Sequence, residues 1–278
     1  MTDSHKPLSV VGSAPVPAQP TSHWWTHFDR YWLLLIGALV VAAVLFFAFP
    51  ERFQPIFRYV FGSYAGGDGI FMTLKLTAVA FLFILVVGMV MGVMRVSSVG
   101  ILKGIASLYV EIVRGVPVLV WILWIYFGLP VFFRDVLGLK DMRIAGFPAA
   151  VAAFTFAYGA YMTEIFRAGI QSIPKGQMEA SRSLGMNYIQ AMRHIILPQA
   201  VRVILPPVSN EFVTLLKDSS LISVLGLEDI TRRGREWVGR TFASFDTYMV
   251  VALLYLILTV FFTRVSTAIE RQLSVEKR

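Results

Sequence analysis

Apolar stretches long enough to cross a bilayer recur along this chain, and they decide most of what it can fold into. A membrane core asks for about 20 apolar residues per helix. Tyr31 to Phe49 carries no charge, and Ile70 to Met94 carries one, Lys75, near its start. Val118 to Phe133 is apolar and shorter, with a start as early as Gly115. Phe147 to Thr163 is uncharged and runs on into Glu164, and Tyr248 to Phe262 is again uncharged. Val203 to Leu227 is the least regular window, broken by Pro206, Pro207, Glu211, Lys217 and Asp218. The pattern predicts an all-α polytopic membrane protein with six transmembrane helices. Composition agrees: only 15% of the 278 residues are charged and 56% are hydrophobic, with a mean hydropathy of +0.68, where soluble domains carry about 25% charged residues.

The net charge of +8 raises the question of nucleic acid. The Lys and Arg residues are scattered between apolar spans rather than gathered in one patch, which excludes that partner. Their distribution bears on orientation instead. Six spans put both termini on one side. That side holds, among others, Arg95, Lys103, Arg114, Arg167, Lys175, Arg182, Arg193 and Arg202, and it outweighs the side holding Arg52, Arg58 and Arg232 to Arg240. Both termini are therefore expected in the cytoplasm. The absence of cysteine excludes disulfides and thiolate metal sites. The four histidines, three of them within the first 27 residues, make no metal site, and no cofactor is expected.

Residues 1–22 are rich in Pro, Ser and Ala and read as a disordered cytoplasmic tail; Trp24 and Trp25 read as an interfacial anchor for a first helix over 23–50. That apolar run is too long and too far from the N-terminus for a cleaved signal peptide. Glu51 to Gly69 reads as an outside loop ending in a flexible glycine turn, and Arg95 to Val116 as a cytoplasmic connection. Glu111/Arg114 and Glu164/Arg167 each place an acid and a base three residues apart on a helix, where they can pair.

Residues 169–200 are a polar, basic insert between two apolar blocks. Ser172 or Pro174 can start a helix, Gly185 can end it, and Pro198 limits the next segment. Two short helices are expected along the membrane surface, with a turn near Gly185 to Asn187. The chain has no G-x-x-x-x-G-K-[ST] and so binds no ATP through a P-loop; energy for uphill transport would have to come from a partner. A helix with Met178, Ala180, Leu184 and Met186 as apolar contacts and Glu179 and Arg182 as polar ones fits a partner groove. It fits equally an interfacial helix lying on anionic lipid.

Within the insert, Glu179-Ala180-Ser181, Gly185, Ile195, Leu197 and Pro198 resemble the E-A-A-x(3)-G-x(9)-I-x-L-P signature of the membrane subunits of ABC importers, with Ser181 in place of the second alanine. Further elements resemble the polar amino-acid branch of these permeases. They include Glu111-x-x-Arg114-Gly115-x-Pro117, Gly159-Ala160-Tyr161 through Glu164-Ile165, Ser183-Leu184-Gly185-Met186, Leu197-Pro198-Gln199-Ala200 and Lys217-Asp218-Ser219-Ser220-Leu221. The resemblance covers roughly residues 68–268. It implies a type I importer fold: a five-helix core preceded by one extra N-terminal helix, cytoplasmic coupling helices, and a short cytoplasmic tail over 269–278. It also implies a bacterial inner-membrane location, a second membrane subunit, two ATPase subunits, a substrate-binding protein and a polar amino-acid substrate. The ATPase-coupling element would then be Glu179, Ala180, Ser181, Arg182, Leu184, Gly185 and Met186.

The fifth span becomes the candidate translocation path. Asn210, Thr214 and Lys217 recur at i, i+4 and i+7, and Glu211, Thr214 and Asp218 at i, i+3 and i+7; with Ser219 they draw a polar stripe. Charges in a bilayer normally face the bundle interior or a water-filled path, and a path lined by both signs suits a zwitterion. The stripe fits equally a set of structural ion pairs or an outer-interface anchor. Two other classes share the composition: a secondary transporter, which needs no ATPase, and a membrane scaffold, which tolerates loss of the Lys217-Asp218 stripe.

Overall fold

The structure is a computed structural model that describes residues 30–62, 68–138 and 144–275. The expected N-terminal tail, Trp24, Trp25, and Gly66-Gly67 of the glycine turn lie outside the described residues. Among those described, every regular element is a helix. Four helical stretches are long and apolar enough to cross a bilayer: Gly69–Val96 (α3), Val118–Leu137, Gly146–Gln171 (α7) and the Ser244–Glu270 part of α12. Val118–Leu137 is built from α5 (Val118–Leu123), a π turn and α6 (Leu129–Leu137). An apolar helix over Trp32–Ala48 is shorter and belongs to α1 (Arg30–Ala48). α10 (Leu197–Asp218) is 22 residues long and carries Glu211, Lys217 and Asp218; at 1.5 Å per residue it extends about 33 Å.

Lipid is as apolar as leucine, so helices in it associate by close packing of small residues rather than by escape from water. The α3–α7 contact is built that way. A Cβ on Gly88 would lie 2.3 Å from Met162 Cγ, and one on Gly92 would lie 2.7 Å from Phe166 Cβ. The main core joins Leu76, Ala80 and Ile84 of α3 to Ala153, Phe154 and Met162 of α7 and to Ile204 and Leu215 of α10. Polar residues inside these helices turn back on their own backbone: Thr77 Oγ1 donates to the Thr73 carbonyl at 2.8 Å and Thr163 Oγ1 to that of Gly159 at 2.7 Å. In hydrocarbon such internal satisfaction is required.

Two expectations are corrected. Residues Glu51 to Gly69 are not simply a loop. Pro50–Phe61 forms an amphipathic helix, α2, that buries Phe53, Ile56 and Val60 in a second core with Leu216, Ile230, Val250 and Leu254. Its charged residues sit on one face only, so periodicity and not polarity describes it. The connection from Arg95 to Val116 holds Glu111 and Arg114 on a helix, as expected: α4 (Gly100–Arg114), which buries Ala106, Val110 and Val113 and is tied to α7 by Tyr109 Oη donating to the Phe156 carbonyl at 2.7 Å. Finally, the second surface helix is not short. α9 (Tyr188–Ala191) runs through a π turn at Met192–Ile196 straight into α10. Pro198 falls where the π turn over Met192–Ile196 gives way to α10, and the helix continues past it, so it ends no helix. Pro206 and Pro207 lie inside α10 further on and contribute no N–H to its hydrogen-bond ladder.

On the face where α3 begins, Gly69 pairs with Asp229. Asp229 caps α11 (Ile230–Thr241), its carboxylate accepting from the N–H groups of Thr231 and Arg232 at 3.1 and 2.9 Å. Burial pushes this carboxyl up to about 6, against the opposing pull of those hydrogen bonds. The folded chain therefore holds the proton more tightly than the unfolded one. This contribution to stability is full below the ordinary carboxylate pKa of about 4 and is lost as pH rises through 6. Asp229→Asn keeps a capping oxygen and removes the buried charge. Thermal unfolding in detergent is expected to show the variant more stable than the parent at pH 7.5, by at most about 3 kcal/mol, with the difference vanishing near pH 4.

Candidate functional site

The insert forms one rigid elbow. α7 ends at Gln171, Pro174 precedes α8 (Lys175–Ser183), and α8 closes on a left-handed residue, Gly185, with φ +82°. The Gly185 N–H donates to the Arg182 carbonyl at 3.0 Å and the Met186 N–H to that of Ser181 at 3.2 Å, the pair of bonds that defines a Schellman motif. Asn187 then starts α9 with a capping box: the Gln190 N–H donates to Asn187 Oδ1, and the Asn187 N–H to Gln190 Oε1, each at 2.9 Å. A helix stop and a helix start thus stand back to back, and every residue between them has a fixed conformation.

Of the seven residues expected to couple to an ATPase, Glu179, Ala180, Arg182, Leu184 and Gly185 are exposed and Met186 is half-buried. Leu184 is 81% exposed at the edge of a groove of about 430 Å³ that also touches Gly185, Met186, Gln190 and His194. Ser181 is the exception. It is buried, and its hydroxyl donates to the Gln177 carbonyl at 2.6 Å. That bond explains how a serine is accommodated where the signature has alanine: the extra oxygen is satisfied inside its own helix.

The stripe on α10 divides. Asn210 and Lys217 are exposed, and Thr214 is half-buried with its hydroxyl on the Asn210 carbonyl at 3.0 Å. Ser219 is fully buried and donates to the Leu216 carbonyl at 2.7 Å, so it is a packing residue that reaches no open surface. Asp218 accepts a hydrogen bond from Tyr158 Oη of α7. Tyr158 lies beside Tyr161, with ring centroids 5.9 Å apart, and the Arg114 guanidinium sits 5.1 Å over the Tyr161 ring. Glu211 feels the charges of both Asp218 and Arg114. A chain of contacts therefore joins α4, α7 and α10, running from Arg114 through Tyr161 and Tyr158 to Asp218. The sequence offered Glu211 and Asp218 but not Tyr158; the available signal was Tyr158 and Tyr161 at i, i+3, two phenol oxygens in an otherwise apolar window.

A separate ionic group ties the far end of α3 to α7. Glu164 accepts from Arg95 and from Arg167, whose Nε lies 3.0 Å from it. The expected i, i+3 pair is thus present at Glu164/Arg167, while Arg114 turns to Tyr161. No cluster of three metal-ligating side chains occurs among the described residues.

Residues 84–275 match the family described as the binding-protein-dependent transport system inner membrane component. The chain belongs to this family. It is a transport component, not an enzyme, and a multi-pass protein of the bacterial inner membrane. The match begins partway along α3, leaving α1 and α2 outside it. The chain is similar to the probable glutamine ABC transporter permease protein GlnM of Bacillus subtilis, 40% identical over 193 residues that cover 69% of this chain and 86% of the relative. It is 35% identical to the glutamine transport system permease protein GlnP of Escherichia coli over 208 residues, 75% of this chain and 92% of the relative. Among solved structures, an amino acid ABC transporter with histidines superposes with a TM-score of 0.68 at 40% identity, covering 74% of this chain and 92% of that one. The inward-facing MetNI methionine transporter, 23% identical with a TM-score of 0.62, shares the fold.

Proposed function

We propose that this inner-membrane component is the translocating subunit of an ATP-driven importer of polar amino acids, with α8 and the elbow after it gripped by an ATPase. Six spans, α10 counted as the fifth, place both termini and the elbow in the cytoplasm. A second membrane subunit completes the path, an ATPase pair drives it, and a substrate-binding protein delivers the amino acid from outside. Asn210, Glu211, Thr214, Lys217 and Asp218 border the path, joined by Tyr161 and Arg114, with Tyr158 buried behind Asp218. Both signs of charge border the path, which suits a zwitterion: Arg114 serves its carboxylate, and Glu211 and Asp218 its ammonium group.

The observation that carries this reading is the elbow. Ser181 and Gly185 of the signature take part in its Schellman motif, and Asn187 and Gln190, outside the signature, cap the helix that follows; together they hold Leu184 exposed, where a partner groove can take it. The test is uptake by proteoliposomes holding the chain, its ATPase and its binding protein. Amino-acid uptake should require ATP. Glu179→Lys should lower coupled uptake at least about tenfold or detach the ATPase, while Asp218→Asn should lower uptake more than it lowers ATP hydrolysis. Uptake that proceeds without the ATPase would assign the chain to the secondary transporters.

A further inference from the structure

A groove of about 440 Å³ opens between α2 and α11, lined by Gln54, Arg58, Tyr59, Trp237 and Arg240 among others. Its base is the Tyr59 ring. Arg240 lies 5.2 Å over that ring and the buried Arg233 lies 4.4 Å over it. The nearby acid is already engaged: Glu236 accepts from Tyr59 Oη at 3.2 Å and from Arg232 Nε at 2.8 Å. Arg58 and Arg240 are exposed at the rim, so the groove presents guanidinium groups to whatever enters it. Arginine's planar fork matches phosphate oxygens.

Position and surroundings select the source of that phosphate. α2 follows α1 and precedes α3, and α11 is followed within two residues by α12 (Ser244–Val275). The groove therefore sits where spanning helices reach the headgroup layer. Directly beyond Arg240, Phe242 has φ 59° and is 87% exposed, and Phe245 is 77% exposed. A bulky L-residue in the left-handed region is strained, and two aromatic rings standing out into water gain nothing. At a membrane interface they gain apolar burial.

We propose that this groove holds the phosphate of an anionic phospholipid, with its acyl chains alongside Phe242 and Phe245. The proposal needs only the membrane placement of the chain and not its substrate. α2 lies outside the family-matched residues and α11 inside them.

Native mass spectrometry of the purified full-length chain, titrated with phosphatidylglycerol and with the matching phosphatidylcholine, tests this. Phosphatidylglycerol should bind more tightly than phosphatidylcholine. Arg58→Gln with Arg240→Gln should weaken it about 25-fold, roughly fivefold for each basic residue near the surface, and leave phosphatidylcholine unchanged. Arg58→Lys with Arg240→Lys should keep most of the binding, which separates charge from misfolding. Phe242→Gly, which relieves the backbone, should still lower lipid retention. Equal binding of the two lipids, or an unchanged double glutamine variant, would overturn the proposal. So would displacement of the lipid by inorganic phosphate, which would make the ligand a free anion. Loss of binding-protein stimulation in the glutamine variant with lipid binding intact would assign the groove to protein docking instead.

Discussion

Replacing Gly185 by valine is expected to abolish ATP-coupled transport while leaving the chain in the membrane. A Cβ at Gly185 meets nothing within 4 Å, so crowding is not the cause. The cause is φ +82°, a region that costs an L-residue about 1–2 kcal/mol and a β-branched one more. Valine would leave that region, and the bonds from Gly185 and Met186 back to Arg182 and Ser181 would go with it. α8 would then lose its fixed angle to α9, and Leu184 its place at the groove. Co-purified ATPase and ATP-driven uptake should both fall at least about tenfold. Gly185→Asn supplies the control, because asparagine tolerates the left-handed region; most coupling should return. Equal damage from both substitutions would show that the side-chain surface, not the backbone, matters at this position.

Gly88→Ala should be the most damaging small substitution in the membrane core. The new methyl would stand 2.5 Å from Met162 Cβ as well as 2.3 Å from its Cγ, so no rotamer of Met162 clears it and α3 and α7 must separate. Overpacking costs typically about 1–3 kcal/mol, and this site belongs at the upper end. The melting temperature in detergent should fall by roughly 6–12 °C. Adding Met162→Ala removes only the Cγ contact, so recovery should be partial. Full recovery would mean that the helix backbones are not in close contact here.

The spanning helices were legible because a run of apolar residues needs no partner to be recognised. Gly185 was legible for a similar reason: a glycine after a polar helix marks a left-handed stop by itself. α2 was hidden because Glu51, Arg52, Arg58 and two prolines gave it a loop's composition, while its buried face of Phe53, Ile56 and Val60 shows only against α12 and its neighbours. Pro198 misled because a helix can continue past a proline where a π turn gives way to α-helix, and only the structure shows that it does. Tyr158 and Asp218 are 60 residues apart; no local pattern announces a bond between α7 and α10. The sequence analysis placed Asp218 on a polar stripe and could not say which face of α10 would be taken up by a neighbouring helix.

The direct passage of α9 into α10 has a mechanical meaning. From Tyr188 to Asp218 the chain is helical throughout, some 45 Å of rod at 1.5 Å per residue. Its ladder loosens at the π turn over Met192–Ile196 and, nearer the middle, at Pro206-Pro207, which donate no N–H. A rod with a soft midpoint is a hinge: the stretch leading from the elbow at Gly185 can tilt against the stretch that carries Asp218. Displacement of the elbow is then taken up at the proline pair, and the hydrogen bond between Tyr158 and Asp218 stays in place at the far end.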